Sequence, residues 1–186
     1  MGTVPVPRTW AQRDILDWQI TALELHSIVS FIMNPPMVTA QRTTAQTITN
    51  AAWTLITFET TTIDVASEPM WLSTDPTKVT PHTPGVYKGT FNVTGSATGA
   101  ATGRLMGQVT KNGLATEEVA RRDQRRGNIA KVVMGGIPFV VSMNGTTDYL
   151  QLYIWHDQTT PISITTDAGI ANTRPELHLR WWKKLP

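Results

Sequence analysis

The chain contains no cysteine. That excludes a disulfide framework and any zinc site built on thiolates. Charge is scarce as well: Asp, Glu, Lys and Arg make up 16% of the 186 residues, and the net charge is +2. Soluble domains usually carry about a quarter charged residues, and a balance this near neutral exerts no strong pull on nucleic acid. No run approaches the ~20 apolar residues that span a bilayer as a helix, so no membrane partner is expected. The opening MGTVPVPRTW lacks a basic segment followed by an apolar one, so it does not read as a signal peptide. Val6 stands where a myristoylation signal needs Ser or Thr.

Signatures of chemistry are missing too. His26, His82, His156 and His178 are scattered, with no His-x-His or HExxH spacing, so no metal site is expected. There is no G-x-S-x-G. The glycine-rich GSATGAATGRLMG, residues 95–107, lacks the Lys-Ser/Thr of a phosphate loop and reads as a loop between strands. His156-Asp157 and Glu117-Glu118 pair acid or base groups, but strand neighbours point to opposite faces and cannot share one substrate atom. Most aspartates flank turns, and no D-x-D-x-D run supports calcium. We expect no enzyme activity, no cofactor and no metal.

What the chain has is threonine, 30 residues of it, with valine, isoleucine and aromatics, a mixture that suits strands. From Val38 onward apolar residues alternate with polar ones. WTLITFET, TTIDV, VYKGTFNVTG, RLMGQVTKNG, ATEEVARR, PFVVSMNG, YLQLYIWHD, ISITT and LHLRWW all read as strands. Turn signals separate them: Asp75-Pro76, Thr83-Pro84-Gly85, Lys111-Asn112-Gly113, Asn144-Gly145 and Thr160-Pro161. Short strands with no helices between them predict a β-sandwich or barrel.

The first 37 residues follow a different pattern. Pro5 and Pro7 predict an extended arm. Thr21 and Glu24 have capping-box spacing, and Asn34-Pro35-Pro36 ends the helix they begin. Leu25, Ile28, Val29 and Ile32 form one apolar stripe. A helix this short is marginal alone, so its stripe needs a partner. Trp10, Trp18 and Phe31 enlarge the same surface. The stripe either folds back on its own domain or docks on other chains, and docking is the expectation.

Two further features invite contact. In DYLQLYIWHDQ, residues 148–158, Leu150, Leu152 and Ile154 share one face, with His156 at its end, while Tyr149, Tyr153 and Trp155 share the other with Gln151. A sandwich strand has one sheet beneath it, so this ring face needs another cover: sister subunits, a sugar, or its own chain. In EEVARRDQRRGN, Arg121, Arg122, Arg125 and Arg126 form the one charge cluster. It reads as a solvated loop or a contact with an acidic neighbour, and nucleic acid is the weakest option. Lys183-Lys184 could extend the same positive surface.

Two resemblances bear on these segments. TPGVYKGTFNVT (residues 83–94) and the later TDYLQLYIWHDQTTPISIT and LHLRWWK resemble strand motifs of the tumour necrosis factor/complement globular-head superfamily. That resemblance implies a jelly roll of about ten strands, usually trimeric, with the aromatic side of the strand holding Tyr149, Tyr153 and Trp155 turned to the threefold axis. The N-terminal PVPRTWAQRDILDWQITALELHSIVSFIMNPP, followed by RTTAQTITNAAWTLITF, resembles small virion proteins encoded by actinobacterial phages and prophages. It departs from their pattern in lacking Gly-Glu after Trp10 and in having Leu25-His26 where Leu-Asn is commoner.

The expectation is an all-β jelly-roll sandwich over residues 38–186, preceded by an attachment arm and helix over residues 1–37. The function implied is a virion structural protein: a homotrimeric capsid decoration or cement protein, assembled in the host bacterial cytoplasm. Trp10, Trp18, Leu25, Ile28, Val29 and Ile32 would hold it to the major capsid protein or another virion protein. The alternative is a minor tail protein or short receptor-binding spike, touching host surface glycans through loops around residues 96–103 or 121–126.

Overall fold

A computed structural model describes residues 22, 24–26, 28–66, 68–96, 103–114, 116–126, 131–158, 162–164 and 174–184; for 95–96, 125–126 and 131–132 it describes the backbone alone. The chain divides into two compact units, Met1–Pro35 and Pro36–Pro186.

In the first unit, residues 22, 24–26 and 28–33 are helical, and the Asn34 amide donates to the Ser30 carbonyl at 3.0 Å in the last turn. The helix stops there because Pro35 and Pro36 cannot continue its hydrogen bonding. Trp10, Trp18 and the expected cap at Thr21 lie outside the described residues.

The second unit is an all-β jelly-roll sandwich. Its strands are β1 Met37–Gln41, β2 Gln46–Ile48, β3 Thr54–Leu55, β4 Thr60–Val65, β5 Gly85–Ser96, β6 Gly103–Lys111, β7 Glu117–Arg126, β8 Lys131–Met143, β9 Leu150–His156, β10 Ile162–Ile164 and β11 Glu176–Lys183. One sheet runs β2-β10-β5-β11-β1-β4, with β8 along the other side of β5; the second runs β3-β9-β6-β7. Every strand pair is antiparallel.

Alternation places the core. Tyr87, Phe91 and Val93 of β5, Leu177 and Leu179 of β11, Leu105 and Val109 of β6, and Leu150, Leu152 and Ile154 of β9 are all fully buried. Residues 56–59 cross from β3 in one sheet to β4 in the other, carrying buried Ile56 and Phe58 through the core.

Two sequence boundaries need correcting. The arginine run is not a loop: Arg121, Arg122, Arg125 and Arg126 belong to strand β7, which the ladder to β6 extends as far as Arg126. The strand expected from Pro138 begins instead at Lys131 and passes through Gly135, Gly136 and Pro138. Among the described residues β8 has a neighbour on one side alone, so the amide that proline lacks breaks no ladder. Gly136 has φ +62° and sits where the β5–β8 register shifts, a bulge that glycine permits.

Candidate interaction surface

The two sheets present very different outer faces. On the four-stranded sheet, the register sets Leu55, Tyr153, Gln108 and Arg121 in one row and Trp155, Met106 and Asp123 in the next. Met106, Gln108, Thr110 and Gln151 face outward, yet each is at most 6% exposed. Arg104 and Arg121 both reach the Met106 sulfur, at 3.7 and 3.1 Å. Tyr149, Tyr153 and Trp155 are half-buried. The Tyr153 hydroxyl donates to Gln151 Oε1 at 2.9 Å. The Lys78 ammonium lies 4.7 Å from the centre of the Tyr149 ring, and the Arg121 guanidinium 5.5 Å from that of Trp53. Burial, helped by neighbouring Tyr149, holds the Tyr153 hydroxyl above its usual pKa. The rings of Tyr153 and Trp155 therefore stand in register beside Gln108 and Met106 of their own chain and keep part of their area open.

Charge on this face is paired. Arg104 bonds Asp123, and Arg121 Nη1 lies 3.6 Å from Glu118. Alternation splits the arginine run, since Arg121 and Arg122 fall on opposite faces of β7. For Arg125 and Arg126 the strand position alone is described. His156 is fully buried and satisfied: its Nε2 lies 2.8 Å from the Ile48 carbonyl, and its Nδ1 accepts from the Gln158 amide at 3.2 Å. Asp157 points elsewhere and accepts from the Arg104 amide at 2.6 Å, so the two groups do not act together. Among the described residues, no His, Asp and Glu cluster is placed to hold a metal, and no helix is long and apolar enough to cross a membrane.

The larger sheet carries what sequence reasoning missed. Its outer face exposes Ile63, Val65, Val140 and Trp182, each between 40 and 55%. Lys88, Arg180 and Lys183 lie with them, also exposed. The Lys88 ammonium sits 3.9 Å from the Trp182 ring centre and the Lys183 ammonium 5.0 Å. Lys183 and Lys184 thus do not extend the arginine surface, because β11 and β7 belong to different sheets. The alternation of LHLRWWK carried this signal: with Leu177 and Leu179 inward, His178 and Arg180 must face out.

On the same face, the His178 Nδ1 lies 2.8 Å from Thr39 Oγ1. Burial pushes its imidazole below the ordinary value of 6.5; Glu176 pulls it up and Arg180 pushes it down further. The folded chain then takes up this proton less readily than the unfolded chain. The stability His178 contributes is complete above the unfolded value and is lost as pH falls through it toward the lower folded value. Melting temperature should drop between about pH 7.5 and 5, and His178→Gln, which keeps a partner for Thr39, should flatten that drop. An unchanged slope in the variant would refute the assignment.

In the first unit, the helix leaves its stripe open. Leu25 is 58% exposed, Ile28 54%, Val29 47% and Ile32 66%.

No protein-family model matches this sequence, and no curated protein matches it. Among solved structures the chain is similar to Eiger TNF from S. frugiperda, with a TM-score of 0.44 and 12% identity, over 81% of this chain and 96% of that one.

Proposed function

We propose that this chain is a phage virion structural protein, a capsid decoration or cement protein that works as a homotrimer and is mounted by its N-terminal segment. The observation that carries the reading is the open stripe of Leu25, Ile28, Val29 and Ile32 on a short helix ahead of a sandwich with its own complete core. A helix this short gains little from staying exposed. Burying each aliphatic side chain against another protein would contribute roughly 1.5–3 kcal/mol. Three such helices on one trimer would bind far more tightly than one, because the second and third contacts are intramolecular. The half-open rings Tyr149, Tyr153 and Trp155 supply the subunit contact, with the aromatic character that interface cores select. The function is mechanical, bridging major capsid or other virion proteins, and calls for neither catalysis nor a cofactor.

Binding to purified capsids that lack the protein tests the attachment. The native chain should bind saturably. The triple variant Leu25→Ser, Ile28→Ser, Ile32→Ser should lose most of that binding while the sandwich melts at the same temperature. Equal binding by the variant would reject attachment through the stripe. Native mass measurement tests the assembly: a trimer of the 20.5 kDa chain is expected, and Tyr153→Glu or Trp155→Glu should dissociate it. A native chain that stays at 20.5 kDa would sink the trimer.

A further inference from the structure

The outer face of the larger sheet holds a second site, independent of the attachment reading. We infer that the patch formed by Trp182, Lys88, Arg180 and Lys183 binds an anionic polysaccharide, one whose sugars carry carboxylate, sulfate or phosphate groups. Its geometry begins with the strand register. Lys88 on β5 is opposite Arg180 on β11 and opposite Val140 on β8, so both cations and an exposed valine share one row. Trp182 lies at the end of the same face, with the ammonium groups of Lys88 and Lys183 resting on its ring. Cation–π contact restrains two long side chains that would otherwise move freely, so less freedom is lost when an anion arrives.

Among the described residues, none of these three cations forms an ion pair with an acidic side chain. The arginines Arg104 and Arg121 on the opposite sheet both do. Beside Lys88 an open hollow of about 500 Å³ is lined by Lys88, Gly89, Thr90, Pro138, Phe139 and Val140, within the size range of small-ligand sites. Its apolar walls suit the C–H faces of a sugar ring, and the Thr90 hydroxyl can bond a sugar hydroxyl.

Charge decides among the other occupants. A second copy of this face would bring three cations against three, and like charges across an interface cost several kcal/mol. A nucleic acid would stack a base on the ring, but two ammonium groups already rest on the Trp182 ring and would have to leave. An anionic sugar reaches those same groups without clearing the ring.

The test is calorimetric titration of the full chain with polygalacturonate and dextran sulfate oligosaccharides, alongside neutral dextran, polyglutamate and a single-stranded DNA oligonucleotide. Binding to at least one anionic polysaccharide is expected, weakening with salt, with no binding to neutral dextran. Lys88→Gln and Lys183→Gln should each weaken it about three- to tenfold. Trp182→Ala should weaken it comparably by freeing both lysines. All three side chains are exposed, so melting temperature should not change. Tighter binding to DNA or polyglutamate than to either polysaccharide would overturn the proposal, as would affinity indifferent to all three substitutions.

Discussion

Asp148→Ala is expected to lower the unfolding free energy by about 3 kcal/mol, the range for removing one partner of a buried ion pair. Asp148 is 7% exposed. It accepts from Asn112 Nδ2 at 2.9 Å and the Asn144 amide at 2.8 Å, and the Lys111 ammonium is 3.0 Å away. Burial alone would raise its pKa; the bonds from Asn112, Lys111 and the Asn144 amide reverse that and hold it below the carboxylate norm. Two turns depend on this one side chain. Lys111 and Asn112 lead into the β6–β7 hairpin, where Asn112 has φ 59°. Asn144 opens the β8–β9 turn, its side chain accepting from the amides of Thr146, Thr147 and Asp148. Alanine would leave Lys111, 17% exposed, facing a hole where its countercharge was. Asp148→Asn keeps an acceptor but no charge and should cost about half as much. Denaturant unfolding at neutral pH measures both. A loss below about 1 kcal/mol for the alanine variant, the level of a surface pair, would show that the turns hold without it.

Phe91→Ala should cost about 3–5 kcal/mol, the range for deleting a buried aromatic side chain. Phe91 is fully buried on β5, and its ring crosses to the opposite sheet at Gly107 on β6. A Cβ added at Gly107 would stand 2.8 Å from Phe91 Cε2 and 3.2 Å from Met134 Cε. Gly107→Ala should therefore cost about 1–3 kcal/mol through overpacking. Phe91→Leu combined with Gly107→Ala should cost less than the sum of the two single changes, because the smaller side chain makes room for the methyl. Strict additivity would mean that ring and glycine do not share the space between the sheets.

Much of this fold follows from local pattern. Leu150, Leu152 and Ile154 alternate with Gln151 and Tyr153, and that alone assigns one face of β9 to the core. Asn112-Gly113 and Asn144-Gly145 mark turns because these residues tolerate the left-handed backbone found at Asn112, Gly113 and Gly145. Pro35-Pro36 ends the helix for a reason equally local. Local pattern fell short at β8, where it predicts the strand only from Pro138, and Gly135 and Gly136 belong to the strand as well. Pairing with β5 along one side extends the strand back to Lys131, and a strand's neighbours cannot be read from its own residues.

The surfaces divide in the same way. The sequence by itself determined that Tyr149, Tyr153 and Trp155 share a face, that Leu25, Ile28, Val29 and Ile32 form a stripe, and that His156 and Asp157 point apart. These are consequences of strand and helix periods. Only the tertiary structure decided what stands beside each face. It set Met106, Gln108 and Thr110 of β6 beside the ring-bearing strand, divided Lys183 from the arginines by a whole sheet, and brought Lys88 across from β5 to Trp182. Those neighbours come from segments far apart in the chain, joined by ladder pairing and core burial. Such contacts depend on the whole set of strands closing together, which no single stretch encodes.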